Sequence, residues 1–346
     1  MCARTRIKKV KKPFLILSVF LVSGCTAIQD ARDRAISNET KAKASMELEE
    51  TGPDNWGQIT DEKPRFYAAS DVPESQIELT RKWYEIGSNA WGNYGPLEFW
   101  IVGKDEQAAA DLDKKYCEIY NERDPSFRIR ECLKRGHNLV SYAKEGNAGL
   151  NMRRSEHEQW SGFIITMSAK YPSPEEEDYK SVVLHEYFHV YQHAHIYTKD
   201  HSEREEKNQK NPWWAEGGAE YMALLLYSKQ EGVRPGYLKE RMENKLRSLR
   251  LNLSFKSLRK NENIRDIPYG SRAMVAYDLG AWFIAFLINK TSEEAYRLDF
   301  FKSLDEKGFE GAFLESFGSS SKDMLEEFHN EFLLLETDEK MKIIPG

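Results

Sequence analysis

Apolar residues recur every three to four positions through "ESQIELTRKWYEIGSNAW" (74–91) and "DEQAAADLDKKYCEIYNE" (105–122). That is the period of an amphipathic helix. Two shorter runs, "LEFWIVG" (97–103) and "GFIITMSA" (162–169), are rich in β-branched and aromatic residues and end on glycine or turn residues, which predicts strands. From 173 onward the pattern is helical almost throughout. "SPEE" (173–176) predicts a helix start, with Ser173 as cap, Pro174 in the first turn and Glu176 three residues after the cap. "NPWW" (211–214) predicts another, with Asn211 as cap and Pro212 at the first position. Between them, "TKDHSEREEKNQKN" (198–211) reads as a charged, mobile loop. Further helices are expected near 235–250, 270–290, 292–305 and 320–336. Within the second of these, "AWFIAFLI" (281–288) reads as buried and is too short to cross a membrane.

The polar segment 25–61 has few large apolar residues and reads as a tether. The globular part is then 62–346, divided into a mixed α/β portion (62–172) and a helical portion (173–346). There is no internal repeat. Residues 1–24 stand apart: six Lys or Arg and no acid by position 12, then the apolar "FLILSVFLV" (14–22). A basic start, a short apolar stretch and small residues describe a signal peptide. "LVSGC" (21–25) resembles the bacterial lipobox, which implies that Cys25 becomes the first mature residue and carries lipid; an ordinary signal peptide is the alternative. Several acyl chains anchor a protein stably where one does not. Thr26 rather than Asp after the cysteine resembles the Gram-negative sorting pattern for the outer membrane. The expected location is therefore the cell envelope of a Gram-negative bacterium, lipid-anchored and facing the periplasm.

Composition adds two constraints. Without residues 1–24 the chain has 44 basic and 56 acidic residues, a formal charge of −12. This acidic balance argues against nucleic acid as a partner. Of four cysteines, Cys2 leaves with the leader and Cys25 takes the lipid. Cys117 and Cys132 remain, and in an oxidising compartment they form a disulfide or stay as two buried thiols.

The candidate chemistry lies in "SVVLHEYFHVYQHAH" (181–195), which holds four of the eight histidines. On a helix His185 and His189 share a face and can aim both imidazoles at one point. Glu186 leans toward the same opening, where its carboxylate can take a proton from water. A catalytic zinc wants three protein ligands and an open position. "NPWWAEGGAEYMALLL" (211–226) puts Glu216 on a second helix, with Glu220 one turn further on. His193 and His195 are assigned to no metal.

"HEYFH" followed by "WWAEGGAEY" resembles the gluzincin metallopeptidases, the group of thermolysin and the aminopeptidase N family. The resemblance implies a single zinc ion held by His185, His189 and Glu216, with Glu186 as general base. It also implies that Glu220 hydrogen-bonds a ligand histidine, although Glu220 also suits a plain helix-surface acid. "VAYDLGAWFIAFL" (275–287) is similar to the helix that supplies the oxyanion donor in the aminopeptidase N family. Tyr277 would be that donor, with Tyr269 of "IPYGS" as the substitute; a core tyrosine is the competing reading of Tyr277. Twenty-six residues separate His189 from Glu216, more than in those families, and the charged loop accounts for the excess. The motif that grips a free amino end is absent.

The expected fold is α+β and zincin-like: a small mixed sheet, with an edge strand near 162–169 above the zinc helix, followed by a mainly helical half. The expected activity is hydrolysis of peptide bonds in a peptide or protein substrate. Two alternatives stay open, a zinc-binding envelope lipoprotein that turns nothing over and a hydrolase of a non-peptide amide.

Overall fold

The computed structural model describes residues 56–250, 258–259 and 262–345. The leader, Cys25 and most of the tether lie outside them. The chain opens with strand β1 (Gln58–Ile59), β2 (Arg65–Ala68) and helix α1 (Glu74–Trp91). Strands β3 (Tyr94–Gly95) and β4 (Leu97–Val102) lead to helices α2 (Glu106–Arg123), α3 (Ile129–Arg135) and α4 (Leu139–Glu145), then β5 (Ala148–Arg153) and β6 (Gly162–Ser168). Nearly everything after that is helical: α5 (Glu177–His193), α6 (His201–Asn208), α7 (Pro212–Ser228), α8 (Tyr237–Arg250), α9 (Ala273–Lys290), α10 (Phe301–Phe317), α11 (Ser321–Asn330) and α12 (Thr337–Met341). The α+β organisation expected from the sequence is present, with a small sheet first and a helical half after it.

The main sheet has the order β2-β4-β6-β5, with the first three strands parallel and β5 antiparallel to β6. The two central strands are buried along their whole length, which is why they read as unbroken apolar runs. Their alternate residues serve two cores. Phe99, Ile101, Phe163 and Ile165 face α1 and α5, whereas Trp100, Val102 and Ile164 face α2 and α4. Cys117 of α2 and Cys132 of α3 are joined as a disulfide beside the second core.

Several local expectations are corrected. The strand at 162–168 is central, and the edge beside α5 is β5, which the sequence reading did not identify. Helix α5 starts at Glu177 rather than at Ser173. "SPEE" forms a turn in which the Glu176 amide donates to the Ser173 carbonyl, and the Ser173 hydroxyl donates to Glu175 instead of capping. Asn211 does sit at the N-cap of α7 with Pro212 following, but its side chain donates to the Arg265 carbonyl at 2.6 Å. The charged stretch 198–211 contains a helix, α6. The Asp200 carboxylate caps it by accepting from the Glu203 amide, and Lys207 pins it to Asp305 of α10 at 2.8 Å.

Ordered structure also begins ahead of residue 62. Trp56 is buried with its ring 4.4 Å from Phe163, and β1 pairs with β3. Helix α9 has the length and apolarity of a membrane span but lies largely inside the protein.

Candidate metal centre

Helix α5 is buried on nearly all sides, between the sheet and the helical half. Its i, i+4 spacing brings the His185 and His189 rings to 4.7 Å, almost at right angles. Helix α7 packs across α5 and delivers Glu216 to the same point. Glu216 Oε2 lies 3.3 Å from His185 Nε2 and 3.1 Å from His189 Nε2. All three side chains are buried, and their ligand atoms lie within 4.8 Å of one another.

The hydrogen bonds behind the imidazoles decide what this cluster suits. His189 Nδ1 lies 2.8 Å from Gln192 Oε1, and Gln192 Nε2 donates to the Ala215 carbonyl at 2.9 Å. That second bond fixes the amide orientation, so Nδ1 must carry the proton and Nε2 the lone pair. On the other ring, His185 Nδ1 faces Glu220 Oε2 at 3.3 Å, which favours the same tautomer. Two nitrogen lone pairs and a carboxylate then converge at about hydrogen-bond distance. Three acceptors so placed repel unless a metal ion, or a proton on His185 Nε2, lies between them. A His, His, carboxylate set is the donor chemistry zinc takes. The residues fit the ion.

Electrostatics agree. Burial opposes ionisation of Glu216, yet the two histidines hold its carboxyl far below the usual range. Burial likewise opposes charge on His185, but Glu216 and Glu220 push its pKa up to about 10, the response of a ring already turned toward anions. Glu186 behaves oppositely: burial raises its pKa, and its carboxylate accepts from the Leu150 amide of β5. The outer edge of β5 therefore faces the metal centre.

Both candidate tyrosines reach this region. Tyr269 donates to Glu216 Oε1 at 2.9 Å. Tyr277 of α9 is buried, and burial followed by the charge of Glu216 and the neighbouring Tyr269 drives its phenol well above the ordinary value. His193 and His195 are buried outside the ligand cluster. His193 is held neutral by burial, and His195 stacks on Phe301. Trp213 and Trp214 are packing residues in an aromatic cluster with Phe283 and Phe309.

Sequence reasoning missed three participants: Gln192, the edge strand at Leu150, and Lys245, which meets Glu220 at 2.6 Å. The first had a signal, because Gln192 stands three residues after a ligand on the same helix face.

Residues 178–266 match the family model described as M61 glycyl aminopeptidase. The span is about a quarter of the chain; it includes both ligand histidines, Glu186, Glu216, Glu220 and Lys245, and stops short of Tyr269 and Tyr277. It supports a metallopeptidase in general. No curated protein and no solved structure matches the chain.

Proposed function

We propose that this protein is a zinc-dependent peptidase held at the bacterial cell envelope. The observation that carries the reading is the convergence of His185 Nε2, His189 Nε2 and Glu216 Oε2, with the buried Glu186 carboxylate beside them. An ion held there would supply Lewis-acid polarisation of a carbonyl and lower the pKa of water from 15.7 to about 7. Glu186 takes the proton of the attacking water and delivers it to the leaving amine; its raised pKa suits a group that must do both. An extended peptide adds along the outer edge of β5, next to the Leu150 amide that Glu186 engages, which sets the scissile bond over Glu186. Tyr277 donates to the oxyanion.

The lipid anchor at Cys25 and the outer-membrane location rest on "LVSGC" and Thr26. The glycyl aminopeptidase activity that gives the matched family its name makes peptides with an amino-terminal glycine the first substrates to try. The test is zinc content together with cleavage of a peptide library by the wild type and Glu186→Gln. One zinc per chain in both proteins, with turnover only in the wild type, supports the reading. Zinc in both with turnover in neither favours a binding lipoprotein. Membrane retention of Cys25→Ala would rule out the anchor.

A further inference from the structure

Behind Glu220 the site continues into a buried charge chain. Glu220 Oε1 accepts from Lys245 Nζ at 2.6 Å, and the same ammonium donates to Asp278 Oδ1 at 3.2 Å. The three side chains are 12%, 10% and 11% exposed and come from three different helices, α7, α8 and α9. One end of this chain touches His185. The other end is the residue next to Tyr277.

A buried ion pair is weak evidence for stability, because well-packed apolar residues of similar volume often do as well. The position of this one suggests a different use. Glu220 has two oxygens. One meets the ligand ring, and the other would be free to rotate it away if nothing gripped it. Lys245 supplies that grip from a helix that contributes no ligand. It also spans from α7 to α9, so the two helices carrying Glu216 and Tyr277 share one cation.

We propose that Lys245 is a positioning residue for the metal centre: it fixes the Glu220 carboxylate against His185 Nδ1, while Asp278 of α9 holds the ammonium in place. This rests on metal binding by His185, His189 and Glu216, and not on what is hydrolysed. It predicts that loss of Lys245 weakens zinc binding through Glu220 and through no other route.

The test is the zinc dissociation constant, measured by competition with a chromophoric chelator, for wild type, Lys245→Met, Glu220→Gln and the double variant. Each single change should weaken zinc about tenfold, the low end for partners behind a metal ligand. The double variant should bind no more weakly than Glu220→Gln alone, because two residues acting in one chain are not additive. Unchanged affinity in Lys245→Met, or losses that multiply in the double variant, would overturn the proposal. Should Lys245→Met fail to fold, the comparison moves to Glu220→Gln/Asp278→Asn with and without Lys245→Met, where the carboxylates are already neutral. Equal affinity there supports the proposal, and a difference overturns it. Absence of zinc from the wild type would overturn the metal reading itself, a result distinct from either.

Discussion

Gly217 of α7 and Gly280 of α9 meet backbone to backbone. A methyl group on Gly217 would sit 2.4 Å from the Gly280 carbonyl carbon, and one on Gly280 would sit 2.1 Å from the Trp213 carbonyl oxygen. Glu216 precedes the first glycine by one residue, and Tyr277 precedes the second by three. The crossing therefore sets how far the ligand carboxylate stands from the phenol. The "AEGG" that follows the two tryptophans is thus a packing requirement as much as a chemical one.

Gly217→Ala should push the two helices apart, since neither backbone can step aside as a flexible side chain would. Overpacking of a core commonly costs 1–3 kcal/mol, and here about 3 kcal/mol or more is expected. Glu216 would also be displaced, so zinc content should fall with the denaturation midpoint. A variant with a wild-type midpoint and full zinc would show that the crossing is looser than described.

Gln192→Leu keeps volume and removes the acceptor that fixes His189. The expected result is a 10- to 100-fold loss of zinc affinity together with some loss of stability, because Gln192 also ties α5 to the Ala215 carbonyl of α7. Gln192→Glu should restore only part of it, since a carboxylate accepts from Nδ1 but cannot donate to the Ala215 carbonyl as Gln192 Nε2 does. The readout is zinc affinity at fixed pH for the three proteins.

These residues show how far the sequence could be read. The convergence of His185, His189 and Glu216 was legible because a shared metal-binding point imposes a helical spacing and a residue type together. α1, α2, β4 and β6 were legible because each keeps one periodicity for its whole length. The edge strand β5, "AGLNMR", was not: its first three residues are buried and its last three half-buried, so it carries neither clean alternation nor an apolar run. α6 was missed because its stability comes from a cap and a long-range pair with Asp305, and its own sequence is almost wholly charged. Lys245 has no local signal at all. It is defined only by partners 25 and 33 residues away.

The two tyrosines should separate kinetically. Tyr269 is bonded to the ligand carboxylate, so Tyr269→Phe should weaken zinc binding and leave turnover of the zinc-loaded protein within about an order of magnitude. Tyr277 hydrogen-bonds the same carboxylate, so Tyr277→Phe should weaken zinc as well, but it should also lower kcat of the zinc-loaded protein by two to three orders of magnitude, the usual cost of an oxyanion donor. Equal effects of both on kcat at saturating zinc would mean that the assignment is misplaced.

Acid should destabilise the protein through a residue far from the metal. His137 stacks on Tyr116 with ring centroids 4.1 Å apart, near Arg153 of β5, while Asp113 of α2 accepts from its backbone amide. Burial and then the Arg153 charge lower its pKa from 6.5 to about 4. A histidine depressed in the folded state takes up its proton more readily when unfolded. Its contribution is thus complete above pH 6.5 and is lost as pH falls toward 4, with no further loss below that. Between pH 7 and pH 4.5 this one group should remove about 2 kcal/mol of stability. His137→Gln has no such proton to bind, so its urea-unfolding free energy should fall by correspondingly less over the same interval. Parallel losses in the two proteins would locate the acid sensitivity elsewhere.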